Sequence, residues 1–188
     1  MAINAAEEES LEALKKWWEE NGKQLLTMVI VVFALGTSWL LWQNSQIAAA
    51  DAASDIYEEI LTLAVAEPGT EVSAENGAQI LDLGNQLRAD HSGTVYALFG
   101  SLFSAQQQVR TDDLAAAEES LQWILDNQKD GMFDKTDEGL ILTASLRLGR
   151  VILAQGDAER ALSLINNLDP KTFEPGFAEL RGDVYRAM

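Results

Sequence analysis

Residues 25–42 (LLTMVIVVFALGTSWLLW) constrain the fold of this chain most, because they carry no charge and are apolar almost throughout. In a helix, these 18 residues at about 1.5 Å each span about 27 Å, close to the hydrocarbon thickness of a bilayer. Ten are Leu, Ile, Val or Phe, each contributing about −0.3 to −0.6 kcal/mol to membrane insertion. Apolar side chains surround the helix instead of forming one stripe. We therefore predict a transmembrane helix over residues 25–42; a buried core helix is the alternative.

The residues that flank this run predict its orientation. Tryptophans, which favour the membrane–water interface, precede the run and occupy its far end. Lysines also precede it, and no Lys or Arg follows before Arg88. Because Lys and Arg remain on the cytoplasmic side, we predict that residues 1–24 are cytoplasmic and that residues 43–188 lie across the membrane. The predicted membrane-interface residues are Trp17, Trp18, Lys23, Trp39 and Trp42.

Cleavage of this segment as an export signal is the competing interpretation. Ala48 and Ala50, within IAAADAAS, have the A-x-A spacing of a cleavage site. The apolar run is longer than that of an ordinary signal, which has about 7–15 residues. It also ends in a bulky Trp42-Gln43 pair. We predict that the anchor is retained, and cleavage near Ala50 stays the alternative.

The remaining composition favours helices and excludes several classes of function. Ala, Leu, Glu and Gln are abundant, and alternating strand patterns bounded by tight turns are missing. We therefore predict an all-α fold with one transmembrane helix. The formal charge of −17 argues against nucleic-acid binding. The absence of Cys excludes disulfides, thiolate catalysis and Cys-ligated zinc.

Residues 146–170 (LRLGRVILAQGDAERALSLINNLDP) match a tetratricopeptide-type helix pair. Such pairs need a small residue where the two helices cross, a turn between them, and apolar residues beyond the crossing. The pattern predicts these packing and turn positions to be Leu148, Gly149, Gly156, Asp157, Ala161 and Ile165. Units of this kind cannot bury their faces alone, and they stack into a solenoid with a concave side.

Looser copies of the pattern occur on both sides of this pair. Upstream, Ala105 takes the place of Gly149, TDDL forms the turn, and Ala117 and Leu121 complete the copy. Downstream, Gly182 begins a third copy within LRGDVYRAM, 33 residues after Gly149. The sequence therefore predicts a short tetratricopeptide-like α-solenoid over residues 43–188. Because the third copy stops near its expected turn, we expect the solenoid to be truncated or covered by a partner there.

Residues with catalytic or metal-binding potential are few. His91 is the single histidine and belongs to a turn sequence, and no G-x-S-x-G or phosphate-loop motif occurs. One loop, DNQKDGMFDKTD, has partial calcium-loop spacing through Asp126, Asp130, Asp134 and Asp137. Gln128 is a poor third ligand, and a solvated loop is the competing interpretation. We predict no catalytic residues and no cofactor, with calcium binding as an alternative.

Taken in order, several segments resemble YfgM-like ancillary subunits of the bacterial SecYEG translocon. The segments are WWEENGKQLL, QNSQIAAADAAS, YALFGSLFSAQQQV, LILTASLRLGRVILAQGDAERAL and ELRGDVYRA. The resemblance implies a single-pass inner-membrane protein with a periplasmic tetratricopeptide-like domain. It also implies association with the translocon and with the membrane-anchored periplasmic chaperone PpiD. No catalytic residue belongs to the family pattern.

Two functions of different class follow. The first is a non-enzymatic, membrane-anchored interaction protein that helps the translocon and periplasmic chaperones to handle newly exported chains. The second is a secreted helical-repeat adaptor of cell-envelope assembly, released by cleavage near Ala50. A calcium-regulated or enzymatic module is a third interpretation, and it rests on the loop at residues 126–137 alone.

Overall fold

The computed structural model describes residues 2–65, 71–131 and 135–188, with side chains from residue 10 onward. Within these ranges the regular structure is helical, with one isolated bridge between Asp130 and Lys135. The predicted all-α class is confirmed for this part of the chain. The helices are α1 (Ala2–Ala64), α2 (Ala74–Asp90), α3 (Val95–Arg110), α4 (Leu114–Asp126), α5 (Glu138–Ala154), α6 (Ala158–Asn166) and α7 (Glu174–Ala187), with a 3-10 turn at Lys171–Phe173.

Contacts divide the chain into two units, residues up to 48 and residues 49–188. The described residues of the first unit all belong to α1. Among the described residues, one helix is long and apolar enough to cross a membrane, with a mean hydropathy of 2.1 over its most apolar window. None of that window is buried in protein. The prediction of one helix with the length and composition of a membrane span is therefore confirmed.

In the second unit, polar side chains fix where most helices begin. Ser73, Thr94, Asp113, Asp137 and Asp157 each accept a hydrogen bond from the backbone N–H three residues later. An oxygen in this position satisfies one of the free amides of the first turn. The last helix differs, because α7 starts at Glu174 with proline in its first turn.

The helices of the second unit pack through two apolar clusters. The smaller one joins the end of α1 to α2 and α3 through Ala53, Ile60, Ile80, Leu87 and Ala97. The larger one joins α3 to α7 and contains most of the predicted repeat positions. These are Ala105, Ala117, Leu121, Leu148, Ala161 and Ile165, each at most 1% exposed. Each helix therefore buries one face against its neighbours, as a stacked repeat requires.

The turn between paired helices has the same backbone form in two places. Gly156, between α5 and α6, has φ +89°, and Asp112, between α3 and α4, has φ +61°. Both lie in the left-handed region, which glycine adopts readily and other residues adopt at a cost. In each turn the next residue, Asp157 or Asp113, caps the following helix. The two helix pairs are thus related by an offset of 44 residues.

This shared turn predicts opposite effects for two substitutions. Asp112→Gly should raise the free energy of unfolding by up to about 1 kcal/mol because it removes the left-handed penalty. Gly156→Ala should lower it by about 1 kcal/mol or more because it introduces that penalty. Urea unfolding of the two variants in detergent, followed by circular dichroism, measures both changes. Effects of the same sign would contradict the equivalence of the two turns.

Candidate binding groove

A groove of about 380 Å³ lies between α3 and α5, with α4 behind it. It is lined by Ala105, Gln106, Val109, Arg110, Leu114, Leu121, Arg147, Arg150, Val151 and Ala154. The lining residues of α3 and α5 recur at helical spacing, so each helix presents one side to the groove. Its size lies within the range of sites that bind small molecules or short peptide segments.

The floor of the groove is apolar. Ala105, Leu121 and Val151 are buried, at 5% exposure or less. Val109 is 44% exposed, although it is a large aliphatic residue on a structured helix. The side chain of Gln155 fixes α5 against α4, donating from Nε2 to the Leu114 carbonyl at 3.0 Å. The groove therefore has a firm apolar base that is open to solvent.

Three of the seven arginines of this acidic chain lie in the groove. Arg110 is paired with Glu71 at 3.1 Å and also donates to the Val72 carbonyl at 3.2 Å. Arg150 is paired with Glu179 of α7 at 3.1 Å. Arg147 has no hydrogen bond or ion pair to any residue in the described ranges. Partial burial, followed by repulsion from Arg150, lowers the pKa of Arg147.

An aromatic patch lies beside this groove, where α1 meets α3. The Tyr57 ring lies 5.7 Å from Tyr96, 5.8 Å from Phe99 and 6.1 Å from Phe103, measured between ring centroids. Burial raises the pKa of the Tyr57 hydroxyl. The three aromatic residues of α3 follow one helical stripe, which continues to Gln106 in the groove. Apolar and aromatic surface thus extends along one side of α3.

The predicted packing residues and the groove share several positions. Ala105 and Leu121 serve both the core and the groove floor. A side chain at Gly149 would come within 2.7 Å of Leu180 and 3.4 Å of Ile165, so α6 and α7 approach α5 closely there. A side chain added at Gly182, its counterpart on α7, would meet no neighbouring atom within 4 Å in the described structure. The close approach at Gly149 is what the repeat pattern predicts, Gly182 shows no such approach, and the predicted roles of these residues stay predictions.

The predicted membrane-interface residues lie on α1 and are exposed. Trp17, Trp18, Trp39 and Trp42 are between 47% and 63% exposed. The rings of Trp39 and Trp42 contact each other at 5.2 Å between centroids. Lys23 is also exposed, and its carbonyl accepts a hydrogen bond from Thr27. Their interfacial role stays a prediction.

The four aspartates of the alternative calcium loop have separate surroundings where they are described. Asp126 accepts from Gln122, Asp130 lies 4.0 Å from Lys135, and Asp137 caps α5 through Leu140. Asp134 lies outside the described residues. Among the residues that are described, no three His, Asp or Glu side chains are grouped as metal ligands. Calcium binding stays an untested alternative.

Sequence reasoning missed the three groove arginines. Ion pairs with glutamates decide which arginine is available to a ligand, and these glutamates are distant in sequence. Glu71 lies 39 residues from Arg110, and Glu179 lies 29 residues from Arg150. The sequence contained one indication of where two of these arginines lie. The 44-residue offset between the helix pairs makes Arg147 equivalent to Phe103 and Arg150 equivalent to Gln106. It therefore places both arginines on the same side of the repeats as the aromatic stripe of α3.

Comparison with known proteins adds sequence similarity over nearly the whole chain. Residues 15–188 match the family described as tetratricopeptide repeat-like domain. A Haemophilus influenzae protein named ancillary SecYEG translocon subunit is 30% identical over 188 residues, covering 98% of this chain and 82% of the relative. An Escherichia coli protein of the same name is 31% identical over 185 residues, covering 97% of this chain and 81% of the relative. A Neisseria gonorrhoeae protein of that name is 28% identical over 189 residues, covering 100% of this chain and 83% of the relative. No solved structure matches this chain.

Proposed function

Because this chain belongs to the tetratricopeptide repeat-like family and aligns over nearly its full length with ancillary SecYEG translocon subunits, we propose that it is a membrane-anchored accessory subunit of the Sec translocon. The near-complete alignment carries this proposal, since it includes both the membrane-length helix and the helical repeats. A translocon-associated relative and a long apolar helix both fit an inner-membrane protein.

The proposed topology follows from the lysines and the apolar run. Residues 1–24 are cytoplasmic, residues 25–42 cross the inner membrane as a retained signal anchor, and residues 43–188 are periplasmic. In this arrangement the helical repeats work on the side where exported chains emerge. They bind protein segments, and their partners include the translocon and the periplasmic chaperone PpiD.

The proposed activity is binding and not catalysis. Repeat solenoids recognise partners through extended surfaces built from stacked helices. The groove offers an apolar floor and a cation, a combination that suits protein recognition. Among the described residues that line it, none is a Ser, Thr, Cys, His, Asp or Glu that could act as a nucleophile or general base. These features support an interaction protein that assists newly exported chains.

Affinity purification tests this proposal. The full chain, tagged at its C-terminus and extracted from membranes in mild detergent, should recover translocon subunits and PpiD. An unrelated single-pass inner-membrane protein with the same tag is the matched control. Equal recovery by the two baits would contradict the proposal. N-terminal sequencing of the purified chain adds a second test, since a start near residue 51 would contradict the retained anchor.

A further inference from the structure

We propose that the groove between α3 and α5 binds a short segment of a partner protein in which one carboxylate lies between apolar side chains. In this complex the carboxylate pairs with Arg147, and the apolar side chains rest on the floor near Val109 and Val151. The inference rests on the proposed function, because it specifies what kind of segment the interaction protein binds. It adds a chemical class of ligand and a residue that selects it.

The charge balance of the groove leaves one cation for a ligand. Glu71 and Glu179 already neutralise Arg110 and Arg150 at 3.1 Å each. Arg147 has no carboxylate among the described residues, although the chain has 30 acidic and 13 basic residues. A guanidinium next to another arginine gains from an incoming carboxylate, which relieves the repulsion and accepts two parallel hydrogen bonds.

A single available guanidinium favours a protein segment over a membrane or a nucleic acid. Lipid surfaces and phosphate backbones are bound by clusters of several free cations. In this groove two of the three arginines are paired, and the formal charge of −17 repels polyanions. One carboxylate side chain requires only one partner and brings little further repulsion. The acidic surface around the groove also disfavours segments with many negative charges.

The apolar floor of the groove binds the apolar side chains of the segment. Val109 is 44% exposed, so an apolar side chain placed on it covers surface that water now contacts, and the buried Val151 completes the apolar floor. The volume of about 380 Å³ accommodates a few side chains. Recognition of an apolar neighbour together with the charge distinguishes such a segment from a free carboxylate in solution.

Fluorescence anisotropy with the full chain in detergent tests this inference. The probe is a short fluorescein-labelled peptide of Gly and Ser with one Leu-Asp-Leu triplet. It should bind, and two peptides that replace Asp by Asn, or both Leu by Ser, should bind about tenfold more weakly or worse. Arg147→Gln should weaken the Leu-Asp-Leu peptide about tenfold, and Arg147→Lys should weaken it less.

Two controls make the result specific. Arg88→Gln removes the same charge from an arginine of α2 that lies outside the groove and also lacks a carboxylate partner in the described structure, and it should leave peptide binding unchanged. Val109→Asp should weaken binding without altering the circular dichroism of the protein. Equal binding of the Asp and Asn peptides, or unchanged binding by Arg147→Gln, would overturn the inference. Displacement of the peptide by glycerol phosphate at equal concentration would assign the site to lipid headgroups and would also overturn it.

The affinity purification described above separates this inference from the function on which it rests. If the wild-type chain recovers the translocon but binds no Leu-Asp-Leu peptide, the groove assignment is wrong and the accessory role stands. If peptide binding depends on Arg147 while translocon recovery fails, the groove assignment stands and the accessory role is wrong.

Discussion

Replacing Val32 and Leu35 together by arginine is expected to move most of the protein out of the membrane fraction. Each arginine near the centre of a span costs about 2.5–3.5 kcal/mol and removes an aliphatic contribution of about 0.3–0.6 kcal/mol. Two substitutions therefore cost about 6–8 kcal/mol. The ten aliphatic and phenylalanine residues of the run contribute only about −3 to −6 kcal/mol in total. Insertion should become unfavourable.

The test does not disturb the helical repeats, because neither residue belongs to the two apolar clusters of the described second unit. Val32 is 66% exposed and Leu35 is 67% exposed. Both residues lie in the first unit, so substitution leaves the residues of the two clusters unchanged. A change in location after substitution therefore reports the surroundings of the helix and not a loss of folding.

Carbonate extraction of membranes measures the outcome. The wild-type chain and a Val32→Leu, Leu35→Ile control should stay in the pellet, and the double-arginine variant should not. If the variant stayed in the carbonate-resistant pellet at the wild-type level, the helix would not be held by lipid. A core helix covered by other protein would then explain the apolar run.

Several features of the fold were predictable from local sequence because local chemistry produces them. The apolar run is continuous, so its membrane length can be read without tertiary information. Polar caps at Asp113 and Asp157, together with the left-handed turn at Gly156, mark helix boundaries within a few residues. Because the same signals recur 44 residues apart, the relation between the two helix pairs was also predictable.

Other features depend on contacts between distant residues, and the local pattern does not contain them. The close approach of α2 to α3 at Gly84 is one of them, because it occurs only in the folded chain. A side chain at Gly84 would come within 2.1 Å of the buried Ser104 hydroxyl. The identity of the unpaired groove arginine likewise follows from ion pairs between different helices.

The role of α7 was also underestimated by the repeat pattern, which singled out Gly182 on this helix. The buried residues of α7 are Phe177, Leu180 and Val184, whereas Gly182 and Tyr185 of the same helix are exposed. Leu180 lies against Gly149 of α5, and Glu179 neutralises Arg150 in the groove. The last helix therefore helps to set both the packing of α5 and the charge of the groove.

Phe177→Ala is expected to be the most destabilising single truncation in the helical repeats. Phe177 is completely buried and is the largest of the fully buried side chains in the described structure. Removing such a ring costs about 3–5 kcal/mol, because the cavity that remains closes only in part. For a protein of this size, about 2–4 °C are lost per kcal/mol, so Tm should fall by roughly 6–20 °C.

Thermal unfolding of the full chain in detergent, followed by circular dichroism, tests this expectation against Tyr185→Ala. Tyr185 is on the same helix but is 61% exposed, so its truncation should shift Tm by no more than about 2 °C. Similar small shifts for the two variants would mean that α7 is not docked in solution. If Phe177→Ala is destabilised as expected but still folded, loosening of α7 should separate Glu179 from Arg150 and leave a second unpaired guanidinium in the groove. Binding of the Leu-Asp-Leu peptide to this variant should then depend less on Arg147, which links the packing of the last helix to the selectivity of the groove.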